Sequence, residues 1–146
     1  MSSIQLPAKI ENMEQLIQFI SDAARAHGFS GKRIKEIELA SEEVLVNIIN
    51  YAYPDCQGNI KISCMQDLLK SLIIEIEDTG IVFDMLSIKE PDISADISDR
   101  QIGGLGVFLV RKLIDEVIPH RKDSKNILKL VVYASNRTNR NKEKQD

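Results

Sequence analysis

The chain has 146 residues, a formal net charge of −3 and a pI near 5.5. That length suits one domain with one core, and Ile, Leu, Val and Phe make up roughly a third of it, well above the composition of disordered chains. The acidic balance argues against direct nucleic-acid binding. No apolar run is long enough to span a bilayer and the N-terminus has no secretory pattern, so the expectation is a cytoplasmic protein with no membrane contact. The two cysteines, Cys56 and Cys64, form no CxxC pair, and His27 and His120 are remote, so no structural metal site is expected.

Residues 3–7 (SIQLP) read as a short edge strand ended by Pro7. Apolar spacing at Met13, Leu16, Ile17, Ile20, Ala23 and Ala24 predicts a helix over 12–27, stopped by Gly28. A longer helix is predicted from Ser30 or Gly31 to about Tyr53, where Pro54 forbids continuation. NIKISCMQ (59–66) and LLKSLIIEIED (68–78) read as antiparallel strands joined by a turn around Asp67 to Lys70. Residues 85–102 have no period; an irregular stretch of that length inside a domain is usually functional or mobile. A third helix follows Gly103–Gly106 and runs to about Glu116. Val117–Lys122 and Ile127–Tyr133 form a closing hairpin around DSKN. The predicted class is α+β: a two-layer sandwich, its mostly antiparallel sheet covered on one face by helices. Residues 1–134 would form the domain, and the polar residues 135–146 a disordered tail.

Three groups of residues can carry chemistry. In the second helix Glu43, Asn47 and Asn50 share one face. An Asn oxygen there can ligate Mg²⁺ and a Glu can accept a proton, although the same spacing also describes a solvated helix face. At the end of the second strand of the central pair, Asp78-Thr79-Gly80 places a carboxylate on the helix-covered side, where it needs a hydrogen-bond donor. An adenine amine is one such donor, and an ordinary strand-end turn is the other reading. Gly103-Gly104-Leu105-Gly106 opens a helix whose N-terminus suits phosphate; it is neither a Rossmann fingerprint nor a P-loop, and glycines there also permit tight packing.

In this order (ELASEEVLVNIINYAYP, then DTGIVFD, then GGLGVFLVRKLIDEV and KNILKL) the motifs resemble the histidine-kinase-like ATP-binding fold. The resemblance is strongest to the bacterial anti-sigma factor serine/threonine-protein kinases. It implies Glu43 as catalytic base and Asn47 as Mg²⁺ ligand, and it implies residues 85–102 as an ATP lid. The implied nucleotide-binding set is Asn47, Asn50, Asp78 (to the adenine amine), Gly80, Phe83, Gly103, Gly104, Leu105, Gly106 and Val107. The cofactors implied are ATP and Mg²⁺. The implied partners are an anti-sigma-factor antagonist phosphorylated on serine, and a sigma factor held inactive, with the chain as a homodimer. Val82, Tyr51 and Ile102 depart from the usual pattern; Ile102 stands where some members place Arg before the glycines. The alternative reading is a nucleotide-binding regulatory module with little or no kinase activity.

Overall fold

The computed structural model describes residues 1–82 and 104–134. It contains β1 (Ser2–Pro7), a 3₁₀ turn (Ile10–Asn12), α1 (Met13–Ala26), α2 (Gly31–Tyr51), β2 (Asn59–Gln66) and β3 (Leu72–Asp78). These are followed by α3 (Gly104–Leu113), β4 (Glu116–Lys122) and β5 (Lys125–Val132). The five strands form one antiparallel sheet in the order β1-β2-β3-β5-β4. The α+β class and the antiparallel sheet therefore match the sequence expectation.

Local chemistry sets the boundaries. Gly28, at φ +83°, ends α1. Its N–H donates to Arg25 O and the next N–H, of Phe29, reaches back to Ala24 O, which satisfies two orphan carbonyls. Ser30 then caps α2 by accepting from the Arg33 N–H at 3.2 Å. The β2–β3 turn is wrapped around Asp67, whose Oδ1 accepts from Leu69 N–H and Ser71 N–H, both at 2.9 Å. Residues 68–71 thus belong to this turn, and β3 starts at Leu72, later than the strand predicted over 68–78. The β4–β5 turn has positive φ at both Asp123 (53°) and Ser124 (64°), the backbone that suits a two-residue hairpin.

The core lies between the helices and one sheet face. Leu16, Ile20 and Ala24 of α1 and Ile34, Ile37, Val44, Leu45 and Ile48 of α2 are buried there. They meet Ile60, Ile62 and Cys64 of β2, Leu72, Ile74 and Ile76 of β3, and Leu128, Leu130 and Val132 of β5. Burial pushes the Cys64 thiol up to about 12, so it stays neutral.

The third helix ends at Leu113, short of the predicted Glu116, which is the first residue of β4. The early stop has a visible anchor. Arg33 of α2 donates through Nη1 to the terminal carbonyl of Leu113 and through Nη2 to Asp115 Oδ2 at 2.9 Å. That carboxylate also accepts from Tyr133 N–H at 2.8 Å. A cation on the last carbonyls of a helix complements the negative end of its dipole, so α3 is pinned by its C-terminal end to α2 and to the sheet.

Candidate functional site

On α2 the 3.6-residue period that buries Val44, Leu45 and Ile48 also carries Asn47 inward, to 2% exposure. Its carboxamide nitrogen donates to Glu43 O at 2.9 Å and to Glu43 Oε1 at 3.1 Å. The amide is thereby oriented, with Nδ2 on the carboxylate and Oδ1 left as its acceptor atom. Glu43 is half-buried, and its carboxyl titrates above the usual range. Burial is the main cause, the neighbouring Glu42 charge adds to it, and the Asn47 bond opposes it. Asn50, one turn on, is exposed.

The second group sits where β3 ends. Asp78 faces the helices with Leu72, Ile74 and Ile76, as the strand parity predicts, and is 4% exposed. Its Oδ1 accepts from Gly80 N–H at 2.9 Å and from Asn126 Nδ2 at 2.9 Å, while Oδ2 takes neither bond. Asn126 lies directly across the ladder from Asp78, and Arg121 lies across from Asn126. The Arg121 Nη1 donates to Asn126 Oδ1 at 2.5 Å. Asn126 Nδ2 also reaches Gly80 O at 3.1 Å. The amide is fixed with its nitrogen towards the carboxylate, since a flipped amide would set oxygen against oxygen.

Gly80 is required by a close approach. A Cβ built there would lie 2.1 Å from Ala52 O, at the end of α2. The same carbonyl accepts from Ile81 N–H at 2.8 Å. Tyr53, one residue on, accepts from Thr79 N–H at 2.8 Å and donates to Asn59 O at 2.7 Å. The end of α2 is therefore joined to the turn that carries Asp78.

Gly104, Leu105, Gly106 and Val107 form the first turn of α3, so the glycine motif does open a helix. That helix packs alongside α2. Phe83, Gly103 and the segment 85–102 lie outside the described residues, as does the expected tail 135–146. Among the described residues no group of three His, Cys, Asp or Glu side chains could hold a metal ion, and no helix is long and apolar enough to cross a membrane. The Asn47 Oδ1 is an oxygen donor of the kind that Mg²⁺ takes.

Sequence reasoning missed Asn126, Tyr53 and Ala52. Asn126 left one signal, a polar residue at the inward-facing parity of Leu128, Leu130 and Val132. Ala52 and Tyr53 left none beyond their place at a helix end.

Residues 6–132 match the family model of the histidine kinase-like ATPase domain. The chain is 30% identical over 122 residues to the serine-protein kinase RsbW of Listeria monocytogenes serovar 1/2a, covering 79% of this chain and 76% of that protein. It is 28% identical over 120 residues to the serine-protein kinase RsbW of a Bacillus cereus strain, covering 78% and 73%. Among solved structures it is similar to the histidine kinase domain of the blue-light activated histidine kinase of Erythrobacter litoralis. There the TM-score is 0.52 at 17% identity, over 84% of this chain and 61% of that one. A longer structure of the same kinase gives a TM-score of 0.54, again at 17% identity, over 86% of this chain and 42% of that one. At that identity the likeness is one of fold.

Proposed function

The chain belongs to the histidine kinase-like ATPase family, in its branch of bacterial anti-sigma serine-protein kinases, and from that premise we propose that it transfers the γ-phosphate of ATP to a serine of a partner protein. The observation that carries this reading is the half-buried Glu43, which titrates above the ordinary carboxylate range while hydrogen-bonded to Asn47. A general base works best when its pKa approaches the working pH. In this reading Glu43 takes the proton that the serine hydroxyl loses as its oxygen bonds to phosphorus, and ADP leaves. Asn47 Oδ1 holds Mg²⁺, which when bound neutralises phosphate charge. Asp78 Oδ2 accepts from the adenine amine, and Gly80, whose open side is taken by the Ala52 carbonyl, fixes the turn beside it. Asn50, Phe83 and Gly103–Val107 complete the nucleotide site, with the α3 N-terminus facing phosphate.

The domain is residues 1–134, and it acts in the cytoplasm as a homodimer. The serine substrate belongs to an anti-sigma-factor antagonist, and the second partner is a sigma factor that the chain sequesters. Neither role needs direct nucleic-acid contact.

The test is Glu43→Gln, which keeps size and the Asn47 bond but removes basicity. Transfer of labelled phosphate from Mg·ATP to the antagonist is expected to fall about 10²–10⁴-fold, with ATP affinity held within about two-fold. Transfer surviving within a few-fold would remove Glu43 from the role of base.

A further inference from the structure

The β2–β3 ladder runs in register from Gln66↔Leu72 down to Lys61↔Glu77 and Ile60↔Asp78. The next rung would join Asn59 and Thr79. In its place the Tyr53 hydroxyl stands between the two strands. It accepts from Thr79 N–H at 2.8 Å, donates to Asn59 O at 2.7 Å, and lies 3.4 Å from Thr79 Oγ1. Its ring lies over Gly58, where a Cβ would come within 2.0 Å of Cε1. A phenol from the end of α2 thus occupies a rung of the sheet one residue beyond Asp78.

We infer that Tyr53 is a positioning residue that sets the Asp78 carboxylate for base recognition by fixing the backbone of Thr79 from the end of α2. The inference rests on the nucleotide reading of Asp78 given above. Thr79 lies between Asp78 and Gly80, and Gly80 N–H holds Asp78 Oδ1. A shift of the Thr79 amide therefore moves the donor that orients the carboxylate. The α2 end is a firm reference because Ile48 and Ala52 are in the core. Glu43 and Asn47 lie earlier on the same helix and do not depend on this rung. Tyr53 accordingly acts on base selectivity and leaves the phosphate side unchanged.

The test uses the full chain, with affinities for Mg·ATP, Mg·GTP and Mg·ADP measured by calorimetry in the parent, Tyr53→Phe and Gly58→Ala. Tyr53→Phe removes only the oxygen. Gly58→Ala displaces the ring by a different route. The preference for ATP over GTP is expected to fall about three- to ten-fold in each, the equivalent of one hydrogen bond. The ATP-to-ADP ratio is expected to stay within about two-fold. The double variant should lose no more selectivity than Gly58→Ala alone, because both changes break one contact. A parent with no preference for ATP over GTP would overturn the adenine role of Asp78, and this inference with it. A parent that discriminates, with Tyr53→Phe discriminating equally, would overturn the inference alone. So would a parallel fall in both ratios, or loss of the native circular-dichroism melt in the isosteric Tyr53→Phe, since each makes the hydroxyl a general support of the fold.

Discussion

The two halves of the candidate site are built on opposite principles. At the β3 corner the Asp78 carboxylate receives two donors on one oxygen, Asn126 is itself held by Arg121, and a backbone bond ties Ile81 to Ala52. On the α2 face the Glu43 carboxylate has, among the described residues, one side-chain donor, Asn47, and a like charge beside it in Glu42. The corner thus commits its polar groups to holding a shape. The helix face keeps a carboxylate poorly compensated, which is the condition for reactivity rather than for stability. Substitutions in the corner should therefore cost folding free energy, and the one at Glu43 should cost rate alone.

The sharpest way to break this contrast is Gly80→Ala. The added Cβ would meet the Ala52 carbonyl at 2.1 Å, and Ala52 is 1% exposed, so neither partner can move aside cheaply. A loss of about 3 kcal/mol is expected, seen as a fall in Tm of about 10 °C. A Tm within about 2 °C of the parent would mean that the corner yields and that its rigidity has been overstated.

Asn126→Ala tests the same corner through a side chain. It removes one of two donors from a carboxylate that is 4% exposed and releases Arg121 from its partner. Stripping a partner from a buried polar group costs about 1–3 kcal/mol, to be read from urea unfolding at neutral pH. An unchanged midpoint and slope would show that Gly80 N–H alone satisfies Asp78.

The contrast also explains what could be read from the sequence. Periodicity marked α1, α2 with its start at Ser30 or Gly31, and the central strand pair, because local spacing decides those. It placed Glu43, Asn47 and Asn50 on one face of α2 for the same reason, and strand parity turned Asp78 towards the helices. The corner was half legible. Asn126 is 48 residues from Asp78, and only the register of β3 on β5 makes them neighbours. Tyr53 looked like the end of a helix, and nothing local shows that its hydroxyl replaces a rung between β2 and β3. The end of α3 was misplaced for a similar reason. The Arg33 anchor that stops it at Leu113 comes from 80 residues away.

The smallest expected effect is the one that separates the two carboxylates most cleanly. The Glu43 carboxyl is held above its ordinary value by burial, with Glu42 adding to the shift. In the window between the ordinary glutamate pKa and this raised value the folded chain binds more proton at Glu43 than the unfolded chain does. The Glu43 contribution to stability is therefore greatest below that window and declines as pH rises through it. Gln at this position carries no charge to desolvate, still accepts from Asn47 Nδ2 through Oε1, and ends the repulsion from Glu42. Glu43→Gln should then match the parent near pH 4 and exceed it at pH 7. The gain should be only about 0.5 kcal/mol, because the side chain is half-exposed and water screens it. Urea unfolding of both proteins from pH 4 to pH 7 reads the difference directly, since the titrating groups other than Glu43 and its neighbour Glu42 are common to the pair and cancel. A loss of stability at pH 7 would mean that ionised Glu43 is as well satisfied as Asp78, and the division between a holding corner and a reactive helix face would fail.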